Sequence, residues 1–203
     1  SEILTLTAAI FLGLPLPLVA LQILWINLIT DGLPALALGV DPKSPDIMER
    51  PPRPPQEGVF TRSVTVLLVV ISFHLTLILL PLFAYYVLVN PHGLSDPTQV
   101  LIQAQTMVFI TLILAELVNA FNCRSDIHSL FTVGFLRNRF LVGSALLSLV
   151  IMIVVIHWQP VSYLFHTRPL SLMDWLVAAG LSLTIFPVVE ITKWILRRWS
   201  RTT

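Results

Sequence analysis

Charged side chains are scarce in this sequence. Asp, Glu, Lys and Arg make up 11% of the 203 residues, whereas a soluble domain carries roughly 25%. Hydrophobic residues account for 56%, and the mean hydropathy is +0.86. With a net charge of +1, the chain also lacks a basic surface that could follow a nucleic-acid backbone. These shortages exclude a soluble domain, a disordered chain and a nucleic-acid-binding protein, and they indicate an integral membrane protein in a lipid bilayer.

Cysteine is almost absent as well. The single residue, Cys123, excludes a disulfide framework and any metal site that needs several cysteines. The first apolar run, residues 3–12, is too short to cross about 30 Å of hydrocarbon at about 1.5 Å per residue, and no basic residues precede it as in a signal peptide. We therefore expect residues 3–12 to be the second half of a longer helix, and the chain to be part of a longer protein.

Five longer apolar runs follow. Each is long enough to cross a bilayer, and none alternates with a period of two, so helices rather than barrel strands are expected. The runs cover residues 18–40, 63–89, 99–121, 139–157 and 173–195. The sequence therefore predicts an all-α fold, a polytopic transmembrane helix bundle of five full spans plus a truncated first helix. His74, Gln105 and Asn119, which lie within spans, are expected to form hydrogen bonds between helices.

The basic residues are distributed unequally between the two sides of the membrane. Eleven of the twelve Lys and Arg residues fall in segments 41–62 and 122–139 or at the C-terminal end, and one, Arg168, falls in the opposite loops. Because Lys and Arg accumulate in cytoplasmic loops, we expect the C-terminus, with its tail 197–203, to be cytoplasmic. Segment 41–62 is then a cytoplasmic loop. Its prolines stiffen it, which suits a linker or a docking surface for another domain.

Acidic residues occur inside the spans. Glu2, Asp31 and Glu116 stand in apolar surroundings, where an ionised acid costs about 2.5–3.5 kcal/mol on insertion scales. Glu190 lies one turn before Lys193 and is expected to pair with it. No Lys or Arg is expected in the body of any span, so the other three acids should have no basic side chain to pair with and must be protonated, face water or bind a cation.

The polar residues around Asp31 form a pattern. Asn27, Thr30 and Asp31 occupy positions i, i+3 and i+4, which share one face of an α-helix. Proline removes a backbone donor and glycine loosens the chain, so we expect the helix to break at Gly32 to Pro34. Carbonyl oxygens freed at this depth are tolerated where they line a cavity or hold an ion. Such oxygen ligands suit Ca²⁺, and Mn²⁺ prefers the same hard ligands. The alternative is a kinked helix whose polar residues only pack against neighbouring helices.

The sequence LWINLITDGLPA at 24–35, followed by DIM at 46–48 and PPR at 51–53, resembles the sixth membrane helix and the following cytoplasmic loop of P-type calcium-transporting ATPases. The similarity is to the sarco/endoplasmic-reticulum type (type IIA) and its bacterial relatives. It continues through ELVNAFN at 116–122 to the last helix. The resemblance implies that residues 1–203 are the C-terminal transmembrane domain, from the end of the fifth helix to the tenth.

The resemblance also implies a set of metal ligands. Glu2, Asn27, Thr30, Asp31 and Glu116 match positions that hold the transported Ca²⁺ in the family. Asp31 would be shared between two ions, whereas Glu2 and Glu116 would contribute to the site that single-site pumps lack. Asn27 favours Ca²⁺ over sodium and potassium exchange, because members that exchange those ions carry a second acid at this position.

The catalytic parts of such a pump would lie in its N-terminal remainder, which is the expected partner of this chain besides lipid. The phosphorylation motif, the dephosphorylation loop and a nucleotide-binding segment do not occur in the sequence, so neither catalytic nor cofactor-binding residues are expected here. ATP and Mg²⁺ would act only through that remainder. The loop 41–62 would couple it to transport, and protons would be the counter-ion. A bacterial pump would lie in the cell membrane.

Two alternatives remain open. One is a stand-alone ion-coupled carrier or channel subunit that uses the same acids and is driven by a gradient instead of ATP. The other is a Mn²⁺-transporting pump of the same family.

Overall fold

The computed structural model describes residues 1–42, 58, 60–125 and 129–199. Helices account for most of this part of the chain, and no strand occurs in it. Most of the proline-rich loop 41–62 lies outside the described residues. So do residues 46–53, which contribute to the family resemblance, and the end of the tail 197–203.

The helices are numbered in chain order. They are α1 (Glu2–Phe11), α2 (Ala20–Trp25), a π-helix (Ile26–Thr30), α3 (Gly32–Gly39), α4 (Arg62–Leu88), α5 (Pro97–Asn122), α6 (Leu130–Val133), a 3-10 helix (Phe135–Arg137), α7 (Arg139–His157), α8 (Gln159–Leu164), α9 (Leu172–Leu183) and α10 (Ile185–Trp199).

Five stretches of the described chain are long and apolar enough to cross a bilayer. The first span, Ala20–Gly39, combines α2, the π-helix and α3. The helices α4, α5 and α7 each form one span. The last span, Leu172–Trp199, combines α9 with α10. The prediction of five full spans preceded by a shorter apolar helix is confirmed. The protein is therefore an all-helical integral membrane protein.

Polar residues define where the helices begin. The side chain of Thr61 accepts a hydrogen bond from a backbone N–H at the start of α4, and Asp96, Asn138 and Ser171 do the same for α5, α7 and α9. Such caps satisfy backbone donors that have no partner within the helix. In α5 the cap is followed by Pro97, whose lack of an N–H matters least in the first turn.

The helix α5 is at the centre of the bundle. In its apolar window 72% of the residues are buried, against 22–28% in the other spans. It packs against α4, α7, α9, α10 and the π-helix. Met107, Phe109 and Ile113 are fully buried. Because most sides of α5 are buried, the remaining helices are arranged around it and turn large apolar side chains outward.

The first span contains a π-helix immediately before the predicted break. The Asp31 N–H donates to the Ile26 carbonyl at 3.0 Å, five residues back instead of four. The helix α3 then begins at Gly32. Pro34 therefore lies in the first turn of α3, where a missing N–H is tolerated. The irregularity predicted from Gly32 and Pro34 is present, and it occupies the turn before them.

The last span is interrupted at Thr184, between α9 and α10. Pro187 has no N–H to donate to the Leu183 carbonyl, which explains the interruption. His74 of α4 contacts the hydroxyl of Thr184 at 2.9 Å. Gln105 of α5 donates to the Leu16 carbonyl at 2.8 Å. His74 thus bonds across the bundle as predicted, whereas Gln105 bonds the segment between α1 and α2 instead of a helix. Asn119 Nδ2 donates to Cys123 Sγ at 3.7 Å, at the end of its own helix, so no bond of Asn119 to another helix is found in the described chain.

Candidate ion-binding site

Asp31 and Glu116 lie at similar depths in two neighbouring parts of the bundle. Asp31 is eight residues before Gly39, the last residue of α3, and Glu116 is six residues before Asn122, the last residue of α5. The π-helix and α3 both pack against α5. The fold therefore brings together two acids that are far apart in the sequence.

One cavity of about 340 Å³ is lined by both Asp31 and Glu116. Asn119 and Asn122, one and two turns after Glu116 on α5, also contribute to its lining. Buried polar atoms without a hydrogen-bond partner in the described structure include Oε2 of Glu116, Oδ1 of Asn119 and both amide atoms of Asn122. Because unpaired buried polar atoms are unfavourable, this face of α5 is suited to receive a polar or charged ligand.

Glu2 and Asn27 form a pair at the edge of this region. The Nδ2 of Asn27 donates to Oε2 of Glu2 at 3.1 Å and to the carbonyl of Ile23 at 2.9 Å. The second oxygen of Glu2, Oε1, is buried without a partner in the described part of the chain. Ser1, the chain neighbour of Glu2, lines the cavity together with Asp31 and Glu116, so three of the acids selected from the sequence occupy one region.

Thr30 does not share the position of its two polar neighbours. Its side chain is 3% exposed, whereas Asn27 and Asp31 are exposed. A π turn contains more residues than an α turn, so residues four apart stay aligned while a residue three apart is displaced. The structure therefore aligns Asn27 with Asp31 and buries Thr30 elsewhere.

The acidic side chains do not converge on a single point. Within the described ranges, no group of three or more His, Cys, Asp or Glu side chains is arranged so that it could hold a metal ion. Asp31 and Glu116 line the cavity, but Glu2, Asn27 and Thr30 are not among its lining residues. The predicted ligands are thus grouped in one region of the bundle without forming a closed cage.

Lys193 lies within the last span, so the expectation that no basic residue falls in the body of a span is wrong. Its side chain is 2% exposed and lines the same cavity as the two acids. Its Nζ donates to the Asn122 carbonyl at 2.7 Å. Glu190, for which the sequence suggested a pairing with Lys193, accepts a hydrogen bond from the backbone N–H of Leu130 at 2.9 Å. The position of Lys193 inside the last apolar run was the one signal of its burial.

Comparison with known proteins identifies the family. The family model described as "Cation transporting ATPase, C-terminus" matches residues 15–195, which is most of the chain. The chain belongs to this family. The resemblance inferred from the sequence is thereby confirmed for the cation-transporting ATPases as a family.

Several relatives of this cation-transporting ATPase domain are calcium-transporting ATPases. That of Bacillus subtilis (strain 168) is 42% identical over 182 residues, covering 90% of this chain and 20% of the relative. Calcium-transporting ATPase 1 of Bacillus cereus (strain ATCC 10987 / NRS 248) is 40% identical, over 95% of this chain and 22% of the relative. Calcium-transporting ATPase type 2C member 2 of Mus musculus is 36% identical, over 93% of this chain and 19% of the relative. The chain thus spans about a fifth of the length of these relatives.

Proposed function

We propose that residues 1–203 form the C-terminal transmembrane domain of an ATP-driven calcium pump and supply oxygen ligands for Ca²⁺ within the bilayer. The observation that carries this proposal is the cavity lined by Asp31 and Glu116, which come from two different spans. The names of the relatives, which are calcium-transporting ATPases, support Ca²⁺ as the transported ion.

The proposed ligands are Glu2, Asn27, Thr30, Asp31 and Glu116. The amide oxygen of Asn27 stays available because its Nδ2 makes the bonds to Glu2 and to the backbone. Thr30 is buried, and its contribution is its backbone carbonyl, since the proline four residues later has no N–H to donate to it. Carboxylate, amide and carbonyl oxygens together suit the flexible coordination of Ca²⁺.

The exposed side of the first span supports a further partner. Asn27 and Asp31 are exposed near the middle of Ala20–Gly39, where polar side chains face a bundle interior or water instead of lipid. The N-terminal remainder of the pump packs against this side and adds the ligands that close the site. The open arrangement of the acids is consistent with a site shared between the two parts.

In this proposal the remainder of the pump binds ATP and Mg²⁺ and is phosphorylated on an aspartate. Phosphorylation tilts the helices, weakens the oxygen cage and releases Ca²⁺ on the extracytoplasmic side, and loop 41–62 carries the coupling. The vacated carboxyls then take up protons, which are the counter-ion. The C-terminal tail 197–203 lies in the cytoplasm, and a bacterial pump lies in the cell membrane.

The test is uptake of radioactive calcium by inverted membrane vesicles that contain the full-length pump, with and without ATP. We expect ATP-dependent uptake that is abolished by Asp31→Asn and by Glu116→Gln. Asp96→Asn is the matched control, because Asp96 is exposed, caps α5 through the Thr98 N–H, and can be replaced by Asn as a cap.

Three results would contradict the proposal. Uptake that needs no ATP would favour a gradient-driven carrier, and ATP-driven uptake of Mn²⁺ without Ca²⁺ would change the ion. ATP-dependent uptake that persists in both acid variants would show that the site lies elsewhere.

A further inference from the structure

Three helices meet at one carboxylate at the end of the first span. Asp41 lies two residues after α3, and its Oδ1 accepts a hydrogen bond from Nε of Arg124 at 3.0 Å and from Nδ2 of Asn138 at 2.6 Å. Arg124 follows the C-cap of α5, and Asn138 is the N-cap of α7. We call Asp41, Arg124 and Asn138 the Asp41 clasp.

The Asp41 clasp is buried and has additional bonds. The side chain of Arg124 is 1% exposed and that of Asp41 is 18% exposed. Arg124 Nη1 also donates to the carbonyl of Gly134, whose φ of +83° favours glycine. Asn138 Nδ2 also donates to the Ala37 carbonyl at 2.9 Å. Within the described structure Asp41 is the acid that pairs with this guanidinium, and a buried charge held this way resists separation from its partner.

The clasp holds one end of the span that carries Asp31, and another contact holds the opposite end. Asp41 is ten residues after Asp31, or about 15 Å along a helix. Near the start of the span, Gln22 Nε2 donates to the Phe165 carbonyl at 3.0 Å. The π-helix Ile26–Thr30 lies between these two contacts. Movement of the span is therefore restricted at both ends, and the irregular backbone is in the part that carries the proposed ligands.

We propose that Arg124 is a positioning residue for the ion-binding site. Through Asp41 it fixes the end of α3 against the end of α5, and so it sets the position of Asp31 relative to Glu116. Arg124 is not one of the residues that line the cavity, although its chain neighbours Cys123 and Ser125 are. Its guanidinium is bonded to Asp41 and Gly134, so it acts through Asp41 and not on the ion. This inference rests on the proposed function, because it assigns the group that holds the geometry of that site.

The test measures phosphorylation of the full-length pump by ATP as a function of Ca²⁺ concentration, in Asp41→Asn, Arg124→Gln and the double variant. Asp41→Asn keeps the shape and one acceptor oxygen but removes the charge. We expect each single variant to raise the half-saturating Ca²⁺ concentration about five- to tenfold, the scale of a modest coupling between sites, with a maximum near that of the wild type. The double variant should be no worse than the more affected single variant, because both remove the same link.

Two further variants separate positioning from general stability. Arg139→Gln removes a positive charge from an exposed residue at the start of α7 and should leave the half-saturating concentration unchanged. Arg124→Lys keeps the charge but cannot bond the Asp41 carboxylate and the Gly134 carbonyl with one planar group. Its half-saturating Ca²⁺ concentration should therefore lie between those of the wild type and Arg124→Gln. If Arg124 had only a structural role, its substitution would lower the maximum level of phosphorylation, which reports the amount of folded pump. The half-saturating Ca²⁺ concentration would then not change.

The outcomes that overturn the inference differ from those that overturn the proposed function. The positioning role of Arg124 would be overturned if both single variants had the half-saturating Ca²⁺ concentration of the wild type. It would also be overturned if the fold-increase in that concentration in the double variant were the product of the two single increases. If Arg124→Gln does not fold, Asp41→Asn and Arg124→Lys decide the question. Wild-type phosphorylation that does not depend on Ca²⁺ would instead overturn the proposed function.

Discussion

At the scale of single residues, two buried acids have opposite surroundings. The carboxylate of Asp174, at the start of α9, accepts hydrogen bonds from five groups on four residues: Tyr86 Oη, His92 Nε2, Gln103 Nε2, Ser171 N and Ser171 Oγ. In Glu116, by contrast, Oε2 is buried without a partner in the described chain. Because a fully bonded buried carboxylate stabilises the fold and an unbonded one does not, Asp174 is structural and Glu116 is available to a ligand.

This contrast predicts different effects on stability. We expect Asp174→Asn to lower the free energy of unfolding by about 1–3 kcal/mol, because an amide cannot accept all of these charge-assisted bonds. Glu116→Gln should change it by less than about 1 kcal/mol, since no bond to Oε2 is lost. The measurement is the thermal unfolding of the purified full-length protein in detergent without Ca²⁺, so that any ion binding does not contribute. Equal losses in the two variants would contradict the distinction.

At the scale of elements, the sequence predicted the spans well and their internal geometry less well. Hydropathy alone located the five spans because each must cover the width of the bilayer. Gly32 and Pro34 indicated an irregular turn, but residue types do not distinguish a π-helix from an open break, and this difference is what separates Thr30 from Asn27 and Asp31. The partners in contacts between distant parts of the chain were not predictable. The bonds of Asp41 to Arg124 and Asn138 join residues 83 and 97 positions apart, and no local pattern signals them.

The π-helix predicts the effect of a single deletion. Removing Leu28 should convert Ile26–Thr30 to a regular α-helix, in which Asn27 and Asp31 are three residues apart and offset by about 60° around the axis instead of aligned. Leu28 is 66% exposed, so the bundle should still assemble. We expect loss of Ca²⁺-dependent phosphorylation in the full-length pump. Leu28→Ala keeps the length of the segment and serves as the control. A deletion variant with the same Ca²⁺ dependence as the wild type would show that the π-helix has no role in the site.

The central position of α5 predicts where truncations are costly. Leu112 of α5 is 0% exposed, whereas Leu77 of α4 is 72% exposed. Leu112→Ala should therefore lower the free energy of unfolding by about 2–5 kcal/mol through the cavity it leaves. The chemically identical change Leu77→Ala should have an effect of less than about 1 kcal/mol, because little packing is lost there. Thermal unfolding in detergent measures both, and similar effects would be inconsistent with a central α5.

At the scale of the whole molecule, the distribution of basic residues predicts the orientation in the membrane. Ten of the twelve Lys and Arg residues fall in segments 41–62, 122–139 and 197–203, whereas one falls in the opposite loops and Lys193 is buried. The C-terminus should therefore be cytoplasmic. We expect green fluorescent protein fused after residue 203 to fluoresce in a bacterial host, because it folds in the cytoplasm. Alkaline phosphatase inserted at Gly93, between α4 and α5, should be active, because it needs the extracytoplasmic side. Active phosphatase at the C-terminus together with an inactive insertion at Gly93 would reverse the topology.

The two anchored ends of the first span have a mechanical consequence. A helical span that is held near both ends cannot slide along its axis. Its middle can still rotate if the number of residues per turn changes there. The π-helix Ile26–Thr30 provides such a middle, because a change from π to α winding alters twist. Asn27, which lies within the π-helix, and Asp31, which follows it, would then rotate about the axis of the span relative to each other. Opening and closing an ion site in this way needs torque on the span instead of displacement across the bilayer.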